Sequence, residues 1–406
     1  MHVDRDRFLE EGYLIVRQVV RPDRLQEVRQ AYEILVNKQR AIWVRERNPE
    51  DPPDGVWETS AQPRLDLNRQ LADEIDDSTA MTVEVWLGER LHGVSSDLLG
   101  VSDAGITEMM MMCNPVRDRG PAGWHRDMYP PYSAPLMGYV DDIVENGPRY
   151  VQWNISLYED DVLWVIPGSH IRANTAKENT QLTVDPTVPL PGDLQVHLEP
   201  GDGVVYILPI LHWGSNYSTK KRRCIHGGFS IYTQYDQQNY FQYLSPGAQK
   251  CFSHWIARGK EMEAHTESAL IAVLKRDRLA YHAALERLHP GRGEKGKLLS
   301  TAYLSKTAKR LVDLKRSDFD SLPQQSRNWA SRPHPITFQW GAPFADRFSH
   351  EQANGIWDVF KPVDDLMQAD TEQFTPGFQG GPSSYRFIEM PADMTVDGFV
   401  CATAME

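Results

Sequence analysis

The chain has 406 residues, 41% hydrophobic and 24% charged, enough to bury a large core in one domain or in one domain with a sizeable elaboration. A formal net charge of −13 argues against nucleic acid and anionic membrane as main partners, and mildly against a highly anionic substrate. Cys113, Cys224, Cys251 and Cys401 show no C-x-x-C spacing, which disfavours a disulfide scaffold or a cysteine zinc site and fits a reducing, cytoplasmic setting. No apolar stretch reads as a signal peptide or a membrane span.

In chain order, residues 4–12 read as a short helix closed by Gly12, and residues 13–20 are β-rich. Arg21-Pro22-Asp23 opens a helix through about Trp43, with Leu25, Val28, Ala31 and Leu35 at helical spacing. Residues 47–62 read as a surface loop, and 68–98 as helical again. The middle changes character. Residues 106–116, 150–158, 162–167, 194–198, 203–212 and 222–233 are short β-rich runs separated by Gly, Pro, Asn and Asp, the pattern of an antiparallel sandwich or barrel. Residues 246–318 return to helix. The last stretch, rich in Pro, Gly and aromatics, has no clear assignment. The expected architecture is a mainly β core with helical additions (α+β) in a single domain, 1–406. An N-terminal helical and β segment spans 1–100, the β core 101–245, and a helical and irregular extension, covering the mouth of that core, 246–406.

The sharpest chemical signal is Trp124-His125-Arg126-Asp127. On an extended strand His125 and Asp127 share a face, giving two of the three ligands of a 2-His-1-carboxylate site for non-haem Fe(II). His212, at the end of the run 203–212, is the candidate third ligand. Most histidines in folded proteins are ordinary polar residues. What outweighs that bland reading is a basic pair, Arg222 and Arg223, about ten residues later. Iron with three protein ligands can chelate a 2-oxo acid, and the far carboxylate of 2-oxoglutarate then needs an arginine fork. The remaining position takes O2.

With those residues in place, the chain resembles the phytanoyl-CoA hydroxylase-like family of Fe(II)/2-oxoglutarate oxygenases. Phe8-x-x-x-Gly12-Tyr-Leu-Ile-Val is similar to the family opening. Trp124-His125-Arg126-Asp127 resembles the proximal ligand pair, and Val165-Ile-Pro-Gly-Ser-His170 the family's most characteristic segment. Pro200-Gly-Asp-Gly-Val-Val-Tyr and His212 with Asn216, Ser218 and the arginine pair resemble the distal half. The likeness covers roughly residues 5–235 in blocks. It implies a double-stranded β-helix (jelly roll, cupin-like), with His125, Asp127 and His212 on the metal and His170 shaping a loop rather than ligating. The spacing after His212 is one residue shorter than usual. Counting from the histidine favours Arg223, aligning on Asn216 favours Arg222, and the balance tips to Arg222. Residues from 246 onward lie outside the family pattern and offer a lid, a substrate-selecting wall or a dimer surface, so a homodimer is left open.

Asn154, on a β run, is a candidate contact for 2-oxoglutarate or else an edge-strand amide. Tyr129 is a candidate substrate contact, although packing is the favoured reading of an aromatic after a strand end; Trp213 is a candidate pocket wall, and Met109–Met112 are assigned to packing. A protein-kinase loop is dismissed because Tyr132 stands where the motif needs Asn, and a serine hydrolase because Gly168-Ser169-His170 lacks the nucleophile elbow. The expected activity is Fe(II)- and 2-oxoglutarate-dependent oxidation of a small organic substrate with release of succinate and CO2. The alternatives are a silent cupin-like binding protein or an oxygenase acting on an acyl-CoA thioester. The retained Asp127 argues against a halogenase.

Overall fold

The architecture comes from a computed structural model that describes residues 3–128, 135–367, 369–376, 384–388, 393–403 and 405. The first helix, α1 (Arg5–Glu11), is capped by the Asp4 carboxylate, which accepts the Arg7 N–H at 3.0 Å. It stops at Gly12, whose φ of 83° is the left-handed conformation that ends helices. The next helix, α2 (Pro22–Glu46), starts on a proline at its first turn and buries Val28, Tyr32, Leu35 and Ile42 along one face. Strands follow as β1 (Tyr13–Val16), β2 (Arg64–Asp66), β3 (Gly105–Cys113), β4 (Tyr150–Ser156), β5 (Trp164–Val165), β6 (Leu194–Gln195), β7 (Gly203–Ile207), β8 (His212–Trp213) and β9 (Arg223–Ser230). They form two antiparallel sheets, a six-stranded one in the order β1-β7-β4-β9-β3-β2 and a three-stranded one in the order β6-β5-β8. Tyr13, Val204 and Tyr206 of the large sheet share an apolar cluster with Leu163, Val165 and Ile210, so the sheets face one another. Residues 369–376 and 384–388 pair as a separate antiparallel ribbon.

Register sorts the large sheet into two faces. Tyr13, Tyr206, Gln152 and Gly228 are successive cross-strand partners, and so are Val204, Asn154, His226 and Met110. These point toward the small sheet. Val205, Trp153, Ile225 and Met111 alternate to the outer face and join the main apolar core. The four methionines therefore divide, Met109 and Met111 outward and Met110 and Met112 inward. Gly228 is required on the inner face, because a Cβ there would lie 2.2 Å from the Tyr150 side chain.

Several sequence expectations are refined or corrected. The helical pattern of 68–98 holds, drawn as several short helical pieces joined by turns, with Val94–Leu99 the longest α-helical one. The run 203–212 is two strands, because Pro209 lacks the N–H that a continuous ladder needs. The 47–62 loop is not all surface, since Trp57 is buried against Trp43.

The C-terminal helices Pro246–Leu274, Arg278–Leu288 and Glu294–Lys315 agree with the 246–318 expectation. Their place is largely behind the large sheet. His92 packs between Phe229 of β9 and Trp255 of the 246–274 helix, with ring centroids 6.0 and 5.8 Å apart. Buried Arg149, just before β4, pairs with Asp142 at 2.5 Å and donates to the Gly296 carbonyl at 2.9 Å. Arg292 meets the same Asp142 at 3.3 Å. Among the described residues, Arg332 brings this region to the inner face, 3.7 Å from Glu108. No described helix is long and apolar enough to cross a membrane.

Candidate metal centre

The ligand-bearing segments meet through the backbone. His125 and His212 exchange two main-chain hydrogen bonds, at 2.9 and 3.0 Å, forming an isolated bridge. Upstream the pairing continues irregularly, with the Ala122 N–H donating to the Gly214 carbonyl at 2.8 Å and a bridge between Pro121 and Ser215, so His125 and Asp127 lie on a loosely paired loop and not on the regular strand that their spacing suggested. Gly120, Pro121 and Gly123 just upstream keep that pairing from becoming a regular ladder. Arg126, between the two, turns away from the site and is fully buried. Its guanidinium donates to Asn174 Oδ1, to the Ser169 carbonyl and to the Pro209 carbonyl. Burial pulls its pKa down to about 9.

The imidazoles are set the same way. Nδ1–H of His125 donates to the Gly123 carbonyl at 2.8 Å, and Nδ1–H of His212 to the Ile210 carbonyl at 3.0 Å. A carbonyl can only accept, so each ring carries a proton on Nδ1 and turns Nε2 inward, where its lone pair serves a metal once Nε2 is unprotonated. Both Nε2 atoms sit 3.4 Å from Asp127, His125 opposite Oδ1 and His212 opposite Oδ2. The three ligand atoms lie within 4.8 Å of one another. Adjacent ligands on a metal with bonds of ~2.1 Å stand about 3 Å apart, so the donors need only small shifts to close on an ion. Two imidazoles and one carboxylate suit a divalent transition metal with open positions. Burial works to raise the Asp127 pKa, but with no ion bound a second proton on the Nε2 of His212, and on that of His125, is held by the carboxylate and keeps it well below the carboxylate range; an incoming cation takes the place of those protons.

The sequence reading missed Gln152. Its Nε2 donates to Asp127 Oδ2 and to the Tyr206 hydroxyl, both at 2.7 Å, while its Oε1 accepts from the Tyr150 hydroxyl at 3.3 Å. Tyr206 in turn packs its ring 5.2 Å from that of His212. The polar alternation Gln152, Asn154, Ser156 within a fully buried strand was the available signal.

Asn154 lies on a central strand between β7 and β9, so the edge-strand alternative is corrected. Its Oδ1 accepts from His226 Nδ1 at 2.6 Å. Burial, reinforced by nearby Arg64, lowers the pKa of His226 to about 3 and keeps it neutral. The two arginines part company. Arg222 reaches Asp160 at 2.7 Å and lies on the inner side with Cys224 and His226. Arg223 turns to the opposite face, pairs with Glu33 of α2 at 2.9 Å and leans over the Trp57 ring.

His170 stays out of the metal site, donating from Nε2 to the Leu9 carbonyl at 2.8 Å. Trp213 faces away from the ligands and stacks on Trp124 at 5.2 Å and 14°, so the expected pocket wall is corrected to packing. Tyr129 and Tyr132 lie outside the described residues.

A family model described as phytanoyl-CoA dioxygenase (PhyH) matches residues 8–224. Among solved structures, the chain is similar to EctD from S. alaskensis, solved with 2-oxoglutarate and 5-hydroxyectoine. Identity there is 16% and the TM-score 0.40, over 57% of this chain and 77% of that one. It is similar to AviO1 from Streptomyces viridochromogenes Tue57 at 20% identity and a TM-score of 0.39, over 57% and 96% of the two chains. The non-heme alpha ketoglutarate dependent epimerase SnoN from nogalamycin biosynthesis matches at 16% and 0.37, over 56% and 79%. No curated protein matches.

Proposed function

Because the chain belongs to the phytanoyl-CoA dioxygenase family, we propose that it is an Fe(II)- and 2-oxoglutarate-dependent oxygenase acting on a small organic molecule. The observation that carries this reading is the convergence of His125 Nε2, His212 Nε2 and the Asp127 carboxylate. On the same reading the two facing sheets are the halves of a double-stranded β-helix, and residues 1–406 work as one catalytic unit.

Bound at the three ligands, iron with 2-oxoglutarate and O2 supplies C–H oxidation, with succinate and CO2 released. The chain's own part is placement. His125 and His212 present lone pairs whose direction is fixed by backbone carbonyls. Asp127 enters already ionised, with Gln152 holding Oδ2. Arg222 supplies the cation for the distal carboxylate of the co-substrate, a role that Arg223 is turned away from. Asn154 fixes the ring of His226, which leaves Nε2 of a neutral imidazole toward the space between the sheets.

Anaerobic loading of the full chain with Fe(II) and 2-oxoglutarate, followed by oxygen and a panel of small metabolites, tests the reading. Stoichiometric Fe(II) binding and substrate-stimulated succinate formation are expected. A chain that binds no Fe(II), or binds it and never consumes 2-oxoglutarate, would overturn it.

A further inference from the structure

Arg222 is not simply available for a ligand, because a carboxylate already touches it. Its Nε donates to Asp160 Oδ2 at 2.7 Å. The terminal nitrogens NH1 and NH2 have no hydrogen bond among the described residues, and neither is a sealed, buried orphan. One edge of the guanidinium is therefore used and the other is open.

Asp160 is built as a fixed post. Its side chain is 5% exposed. Its backbone exchanges two hydrogen bonds with Leu198, at 3.0 and 2.9 Å, which hold it at the rim of the small sheet. Its Oδ1 accepts the Val162 N–H at 3.1 Å, so Oδ2 is the oxygen left for Arg222. The Arg222 backbone is also tied, its N–H donating to Asn114 Oδ1 at 3.0 Å. Burial opposes the charge on Arg222, but Asp160 more than compensates and keeps the guanidinium protonated. A planar fork held at Nε has only its terminal pair of donors to offer, and those match a carboxylate with two parallel bonds.

We propose that Asp160 is a positioning residue that turns Arg222 so that its two terminal nitrogens form the seat for the distal carboxylate of 2-oxoglutarate. The proposal rests on the co-substrate reading above. It differs from the view that Asp160 is a competitor, a carboxylate that occupies the arginine and has to be displaced.

The test compares two 2-oxo acids on the anaerobic Fe(II)-loaded full chain. Pyruvate has the same chelating end as 2-oxoglutarate and no distal carboxylate. The wild type should prefer 2-oxoglutarate, and Arg222→Leu should lose that preference. Asp160→Ala should weaken 2-oxoglutarate binding about tenfold, in the range of coupled side-chain pairs, and leave pyruvate unchanged. Asp160→Glu keeps the charge but moves it by one methylene, and should also weaken 2-oxoglutarate alone. Asp160→Asn keeps one acceptor oxygen for the two donors, Val162 N–H and Arg222 Nε–H, and should weaken 2-oxoglutarate less than Asp160→Ala does while leaving pyruvate unchanged. Tighter 2-oxoglutarate binding in Asp160→Ala would identify a competitor and overturn the proposal. Equal losses for both acids would reduce Asp160 to a structural residue, as would a wild-type response from Asp160→Glu. If the wild type itself shows no preference, or Arg222→Leu retains it, the co-substrate reading is at fault and the proposal falls with it.

Discussion

Arg126 donates a hydrogen bond to the carbonyl of Pro209, three residues before His212. The loop that carries His125 and Asp127 is thereby tied to the turn that delivers the third ligand. The same guanidinium holds the Ser169 carbonyl and Asn174. Arg126→Leu leaves several buried acceptors unpaired, and each such group costs about 1–3 kcal/mol. We expect a stability loss of roughly 2–4 kcal/mol together with weakened metal binding, although Arg126 touches no ligand atom. Chemical denaturation and metal titration of the same variant check both. A variant with altered stability but unchanged metal affinity would break the link.

Gln152 should govern how well Asp127 serves as a ligand. Outer hydrogen bonds of this kind are typically worth about 10–100-fold in metal affinity. Gln152→Leu is expected to lose affinity within that range, and Gln152→Glu more, because a second carboxylate would face Asp127. Competition with a chelator of known affinity measures it. His125→Ala and His212→Ala, run alongside, should abolish binding.

Acid should destabilise the fold through its buried neutral histidines. Burial depresses the pKa of His170 to about 4 and that of His226 to about 3, from an ordinary value of 6.5. The unfolded chain takes up protons below about pH 6.5 while the folded chain does not. Stability is therefore full above that pH and falls as pH drops toward the depressed values. At pH 5 each histidine contributes a loss of about 2 kcal/mol. His170→Gln should flatten the stability profile between pH 7 and 5, which unfolding curves across that range will show.

The C-terminal helices should prove inseparable from the sheets. Cutting at residue 245 removes the Gly296 carbonyl and Arg292 from the buried Arg149–Asp142 pair, and removes Trp255 from His92. The 1–245 fragment is expected to be insoluble or to expose enough apolar surface to bind a hydrophobic dye. A soluble, cooperatively folded fragment would show that residues 246–406 are a separate domain.

What was legible in the sequence was local. The spacing of His125 and Asp127 pointed to a candidate ligand pair, although a bridged loop rather than a strand brings them together. Gly12 and Pro22 marked helix ends through backbone geometry that the residue type alone dictates. The helical pattern of 68–98 was legible too, but not its division into several short helical pieces. Gln152 and Asp160 were invisible. Each matters through a partner brought near by sheet register or chain return: Tyr206 opposite Gln152, and Leu198 opposite Asp160. Which way Arg222 and Arg223 face was likewise set by the pairing of β9 with β4 rather than by composition, and that facing supports the choice of Arg222.

The stacked pair Trp124–Trp213 gives the protein an optical handle on its own chemistry. Each indole is the chain neighbour of one ligand histidine, and the two rings lie 5.2 Å apart and nearly parallel. Chromophores held that closely couple their transitions, so the near-ultraviolet circular dichroism carries a contribution sensitive to their mutual angle. Any closure of His125 and His212 on an ion passes through the shared backbone bridge to both indoles. Ion binding should then be readable as a change in that band without label or substrate, and Trp213→Phe should silence it while leaving the ligands in place.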